Sequence, residues 1–187
     1  VDIGGKYLVP GGIDVHTHFD IDVGIARSAD NFYTGTLAAA CGGTTTIVDH
    51  MGFGPKGCNL HHQLNLYHDL AKDSVIDYSF HGVIQHIDED IISEIDEMIK
   101  DGIPSFKGYM TYGYKLSDME MLKLSEKLGK TGGLLTVHPE NNDIVEFLRE
   151  KLANEGKLAP IYHAKSRPDK CEGEAVNRMI DITAQTN

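Results

Sequence analysis

The strongest constraint on the fold is the alternation of short extended segments with longer helical segments along the chain. The predicted strands end near residues 16, 49, 83, 107 and 138. The predicted helices cover about residues 30–42, 61–72, 88–100, 117–130 and 172–186, and a further helix carries Ile144, Val145, Phe147, Leu148 and Leu152 on its inner side. Strands that alternate with helices pair in parallel through right-handed crossovers, so the sequence predicts an α/β fold.

The number of strands leaves two α/β architectures to consider. Five predicted strands are too few to close an eight-stranded barrel, so the chain is either an open doubly wound sheet or part of a (β/α)8 barrel. An open sheet would place a glycine-rich phosphate turn after the first strand, and this sequence has histidines there. We therefore predict a partial (β/α)8 TIM-type barrel of about five βα units plus a terminal helix. It would occupy residues 1–187 as one incomplete domain without a second domain.

Composition excludes several classes of function. The 187 residues contain 17 Lys and Arg against 28 Asp and Glu, and the net charge of −11 disfavours a nucleic-acid partner. No apolar run approaches the roughly 20 residues of a membrane-spanning helix, and no signal peptide is visible. Three cysteines without metal-finger spacing are typical of reduced thiols inside the cell. We expect a cytoplasmic protein that binds no membrane.

Four side chains near the ends of predicted strands are candidate metal ligands. His16 and His18 are two residues apart, so they project from the same side of a strand. Lys107 and His138 end the fourth and fifth predicted strands. In a barrel the carboxyl ends of the strands meet at one mouth, where the chemistry of such enzymes lies. A hydrolytic metal takes about three or four protein ligands and keeps a position open for water.

Each candidate also has a structural interpretation. An ammonium has no lone pair for a metal, so Lys107 could instead be a buried strand lysine paired with a carboxylate. Tyr112 could pack as an ordinary loop aromatic. Histidine has many structural uses, and we assign the remaining ones to structural roles: His50, His61, His62, His68, His81, His86 and His163.

These residues and their surroundings resemble the cyclic-amidohydrolase family of the amidohydrolase superfamily, most closely dihydropyrimidinases and hydantoinases. The matching segments are Pro10–Asp20, Ser28–Phe32, Gly35–Thr36, Gly42–Thr45, Ser105–Tyr112, Val137–Asn141, Tyr162–His163, Ser166–Pro168 and Glu172–Ala175. Pro139 stands where alanine is usual in the family. Any one segment alone is a weak signal, whereas the combination is highly specific.

The resemblance implies a binuclear zinc site. His16 and His18 would bind the first zinc ion, and His138 would bind the second. Lys107 would carry CO2 as a carbamate that bridges both ions. Tyr112 would hydrogen-bond the substrate and steady the tetrahedral intermediate. The family also needs a histidine from the sixth strand and an aspartate from the eighth, which these residues do not include, so the chain is expected to be inactive alone.

The implied reaction is hydrolysis of a dihydropyrimidine or 5-substituted hydantoin to an N-carbamoyl amino acid by metal-bound hydroxide. Asp20 stands where dihydroorotases usually have an arginine for the substrate carboxylate, so that activity is disfavoured and an allantoinase remains an alternative. Residues 21–29 and 53–58 are predicted to shape the pocket. A homo-oligomer, tetrameric in the family, is expected. The second class of function left open is a non-catalytic scaffold relative.

Overall fold

The computed structural model describes residues 2–186. The chain divides into two compact units, residues 1–82 and residues 83–187. No helix within the described part is long and apolar enough to cross a membrane.

The first unit alternates strands and helices as predicted. Its elements are β1 (Gly12–Thr17), α1 (Phe32–Cys41), β2 (Thr44–His50), α2 (Leu60–Leu70), a 3-10 turn (Ala71–Asp73) and β3 (Asp77–Val83), whose last residue begins the second unit. β1 pairs with β2 and β2 pairs with β3, both in parallel. The register places Thr17 opposite Asp49 and His50 opposite His81. The ends of β2 and β3 therefore carry histidines side by side.

Helix α1 begins with a reciprocal cap and packs closely on the chain that follows β1. The Asn31 side chain accepts from the Thr34 backbone N–H, while the Thr34 side chain accepts from the Asn31 N–H. Gly35 allows the backbone of α1 to lie close to Phe19, because a Cβ at this position would overlap the Phe19 ring. Phe32 is fully buried and makes edge-on contacts with neighbouring aromatic rings, among them Phe80. This packing holds the residues after β1 against the helix.

The second unit continues the alternation. Its elements are α3 (Glu89–Lys100), β4 (Ser105–Tyr109), α4 (Asp118–Thr131), β5 (Leu134–His138), α5 (Asn142–Asn154), α6 (Ile161–Lys165) and α7 (Asp169–Ala184). β4 and β5 pair in parallel, with Lys107 opposite Thr136 and Tyr109 opposite His138.

Two helices of this unit follow from local sequence patterns. Ser117 and Glu120 form a capping box at the start of α4, and Gly132 ends that helix in the left-handed conformation with φ 75°. In α3 the apolar residues Ile91, Ile95 and Met98 share one side of the helix and are buried. Local patterns were sufficient here because caps and stripes involve residues within a few turns.

The structure corrects several predicted details. Only Val145 of the predicted inner side of α5 is buried, and Phe147 is 66% exposed, because residues two apart on a helix point to nearly opposite sides. α6 was not predicted, and α7 begins three residues earlier than expected, at Asp169. Lys107 lies in the middle of β4 rather than at its end.

Candidate functional site

The first unit gathers His16 and His18 as predicted and adds two further imidazoles. We call His16, His18, His50 and His81 the histidine cluster. The ring centroids of His16 and His18 lie 5.3 Å apart. His50, at the end of β2, lies 4.3 Å from His16 and 5.2 Å from His18. His81 stacks on His50 at 4.2 Å.

His50 and His81 were missed as neighbours of the site, although a sequence signal existed. His50 directly follows the second predicted strand and His81 lies near the carboxyl end of the third, and a similar position identified His16 and His18. The Nε2 of His81 lies 2.9 Å from the carbonyl oxygen of Val15, and since a carbonyl only accepts, His81 donates through Nε2. That bond ties β3 to β1 beside the predicted ligands.

A buried carboxylate anchors the turn that carries the histidine pair. Asp49 is fully buried, and its Oδ2 accepts from the Thr17 hydroxyl at 2.6 Å and from the Phe19 backbone N–H at 3.0 Å. Burial raises the pKa of the Asp49 carboxyl to about 6, although these two hydrogen bonds oppose the shift. Since Thr17 and Phe19 flank His18, Asp49 fixes the backbone on both sides of that residue.

The second unit contains the predicted lysine in a buried position. Lys107 is 5% exposed, and burial lowers the pKa of its amine. Its Nζ lies 5.8 Å from the ring centroid of Tyr109. Within residues 2–186 no carboxylate lies within ion-pair distance of Lys107, which contradicts the alternative of a strand lysine paired with an acid. Burial also raises the pKa of Tyr109 to about 12, with a smaller contribution from Tyr112.

His138 and Tyr112 meet at the end of β5, as part of a polar cluster with Glu140 and Arg167. The Tyr112 hydroxyl lies 3.4 Å from the Nε2 of His138, and a carboxylate oxygen of Glu140 lies 2.8 Å from the same nitrogen. Arg167 donates through Nε to Glu140 at 3.3 Å, and its guanidinium lies 5.8 Å from the Tyr112 ring centroid. Tyr112 has φ 72°, a left-handed conformation that is uncommon for a residue with a side chain.

The structure brings His16 together with His18 in the first unit, and Tyr112 together with His138 in the second. The amine of Lys107 faces the ring of Tyr109 instead. Imidazole nitrogens are preferred zinc ligands, so the donor chemistry fits zinc. Within the described residues, no three His, Cys, Asp or Glu side chains form a group that could hold a metal ion as they stand.

Comparison with known proteins identifies relatives of the whole chain. The model of the amidohydrolase family matches residues 7–176. The chain is 58% identical over 183 residues to a D-phenylhydantoinase of Escherichia coli O1:K1, covering 97% of this chain and 40% of that protein. It therefore spans less than half the length of this relative.

Solved structures agree. The D-hydantoinase of Bacillus sp. AR9 superimposes with a TM-score of 0.95 at 41% identity, over 100% of this chain and 41% of that one. The dihydropyrimidinase of Brevibacillus agri NCHU1002 gives a TM-score of 0.91 at 40% identity, over 95% of this chain and 39% of that one. This likeness confirms the predicted fold class, a partial (β/α)8 TIM-type barrel.

Proposed function

The chain belongs to the amidohydrolase family, and from that premise we propose that the full-length protein hydrolyses a cyclic amide ring to an N-carbamoyl amino acid. The substrate would be a dihydropyrimidine or a 5-substituted hydantoin. The observation that carries the proposal is the 58% identity to a D-phenylhydantoinase across nearly the whole chain. The retention of His16, His18, Lys107 and His138 supports it, because a relative without catalysis has no need to keep them.

We propose that His16 and His18 bind one zinc ion, that His138 binds a second, and that a carbamylated Lys107 bridges them. The close approach of the two histidine rings supports the first assignment. The buried setting of Lys107, without a carboxylate partner in the part of the chain that the structure describes, supports the third. Zinc, when bound, supplies an activated water and polarises the ring carbonyl. The remaining ligands would come from the part of the protein that these residues do not include.

The chain's own residues would orient the ring and stabilise its reacting oxygen. Tyr112 is 42% exposed and its hydroxyl lies beside His138, so it can donate to an oxyanion that forms near that histidine. Asp49 would hold the turn around His18 in place while substrate binds.

The identity of the substrate ring depends on the residues that line the pocket. Asp20 accepts from the Phe32 backbone N–H at 3.0 Å, so its carboxylate is held at the start of α1 and disfavours an acidic ring such as dihydroorotate. Val23 and Ile25 in the loop of residues 21–29 are 61% and 98% exposed, leaving apolar side chains for a ring substituent. An allantoinase-type activity is the alternative. A cytoplasmic location and a homo-oligomer, tetrameric as in the family, stay predictions.

A substrate panel with the full-length protein tests the proposal. We expect about two zinc ions per subunit, and ring opening of dihydrouracil or of a 5-substituted hydantoin in preference to allantoin. His16→Asn should lower both zinc content and turnover. His62→Asn, at an exposed position on α2, is the matched control and should change neither. A protein without zinc or ring-opening activity would be the scaffold relative instead.

A further inference from the structure

The contact between Glu140 and His138 determines which nitrogen of His138 is available to bind a metal. Its side chain is 13% exposed, and its Oε2 lies 2.8 Å from the His138 Nε2. Arg167 donates to the same oxygen at 3.3 Å, so Oε2 is a hydrogen-bond acceptor. Since Oε2 accepts, Nε2 of His138 is the nitrogen that carries the proton.

The proton at Nε2 has a consequence for metal binding. A neutral imidazole with hydrogen on Nε2 has its lone pair on Nδ1, and only the nitrogen with a lone pair can bind a metal. The Tyr112 oxygen, 3.4 Å from Nε2, can then accept from that N–H and keep its own proton for a substrate oxygen.

The backbone around Glu140 holds this arrangement in place. Glu140 belongs to the short connection between β5 and α5. Pro139 restricts the backbone on one side. On the other side the Asn141 side chain caps α5 by accepting from the N–H groups of Asp143 and Ile144. Glu140 is therefore placed by a stiff turn and oriented by Arg167.

We propose that Glu140 is a positioning residue of the metal site: it holds His138 in the tautomer protonated at Nε2 and so assigns Nδ1 to the metal. This rests on the proposed function, in which His138 is a zinc ligand. Carboxylates that accept from the second nitrogen of a ligating histidine typically contribute 10–100-fold to metal affinity.

Zinc affinity of the full-length protein, measured by competition with a chelator, tests the proposal. For Glu140→Ala we expect the zinc ion that His138 binds to be held about 10–100-fold less tightly, so one of the two zinc ions should be lost at a lower chelator concentration. Glu140→Gln keeps an oxygen that accepts from Nε2 and should lose less than about tenfold. The matched control is Glu146→Ala, which removes an exposed carboxylate paired with Arg149 on α5 and should leave zinc affinity unchanged.

A second measurement reads the tautomer directly. In the metal-free full-length protein labelled with 15N-histidine, His138 should show a protonated Nε2, and Glu140→Gln should preserve that signal. Loss of the signal in Glu140→Ala supports the proposal when far-ultraviolet circular dichroism shows that the variant is folded. If Glu140→Ala does not fold, the wild-type tautomer and the zinc affinity of Glu140→Gln decide, and a proton at Nδ1 in the wild-type protein contradicts the proposal.

The outcomes separate the two proposals. If wild-type protein binds two zinc ions but Glu140→Ala binds them equally tightly, or if His138 is protonated at Nδ1, Glu140 does not position the ligand and the proposed function stands. If wild-type protein binds no zinc, the proposed function fails, and the inference fails with it.

Discussion

At the scale of single residues, the site depends on groups that sequence patterns could not identify. The histidine pair and Lys107 were predicted because their spacing and strand positions are local. Asp49, Glu140 and Arg167 act on those residues through contacts that depend on tertiary packing, so neither spacing nor strand position assigned them a role. The charges that support a ligand are therefore harder to predict than the ligand itself.

Asp49 makes the stability of the protein depend on pH. Its folded pKa of about 6 exceeds the ordinary 3.8, so the folded state holds a proton that the unfolded state has released. The free energy of unfolding should therefore fall as pH rises from about 4 to about 6, by roughly 3 kcal/mol at 1.36 kcal/mol per pKa unit. Asp49→Asn should abolish this fall in urea unfolding of the metal-free full-length protein at pH 4.5 and 7.5.

Asp22→Asn is the control, since Asp22 is exposed and paired with Arg27, and it should keep the fall in stability. An Asp49→Asn variant with the wild-type pH dependence would show that this carboxyl is ionised in the fold at low pH.

Tyr112 should affect the rate of ring opening more than substrate binding. Tyr112→Phe removes one donor to the developing oxyanion, which typically lowers kcat by about 100–1,000-fold. KM should change little if the hydroxyl acts in the transition state. Tyr33→Phe, at an exposed tyrosine of α1, is the control and should behave as wild type. A rise in KM with kcat unchanged would mean that Tyr112 only binds substrate.

At the scale of secondary-structure elements, local sequence patterns were enough to predict most helices and strands. Asn31 and Ser117 begin helices, and glycines end them, because caps depend on a few adjacent residues. The burial of α5 was predicted wrongly because the sequence shows which residues are apolar but not which side of the helix is covered. Phe147 is apolar and exposed for that reason.

Two helical glycines should respond to alanine in opposite directions. Gly35→Ala places a methyl group in the ring of Phe19, so we expect a loss of about 1–3 kcal/mol in the free energy of unfolding. Because Phe19 follows His18, zinc affinity should also fall. Gly129→Ala in α4 meets nothing closer than the Thr186 carbonyl oxygen at 4.0 Å and should stabilise by about 0.5–1 kcal/mol. Thermal unfolding of both variants measures the difference, and equal effects would contradict the packing described for α1.

At the scale of the whole molecule, this chain corresponds to 40% of the length of its D-phenylhydantoinase relative. The fold class could be predicted because each βα unit is recognisable by itself. The complete set of metal ligands could not be predicted, because the resemblance requires a further histidine and an aspartate from later strands.

The 187-residue chain produced alone should therefore not open dihydrouracil, and should bind less than two zinc ions per chain. Activity assays and metal analysis of this chain beside the full-length protein measure both. Turnover by the shorter chain would show that the later ligands are dispensable.

The contact between Glu140 and Arg167 joins positions 27 residues apart, with α5 and α6 between them. Both side chains are mostly buried, so losing either would strand the opposite charge away from water, at a cost of about 3–5 kcal/mol. Substitutions at Glu140 and Arg167 should therefore be selected together. Across an alignment of homologues they should covary, with an uncharged residue at one accompanied by an uncharged residue at the other.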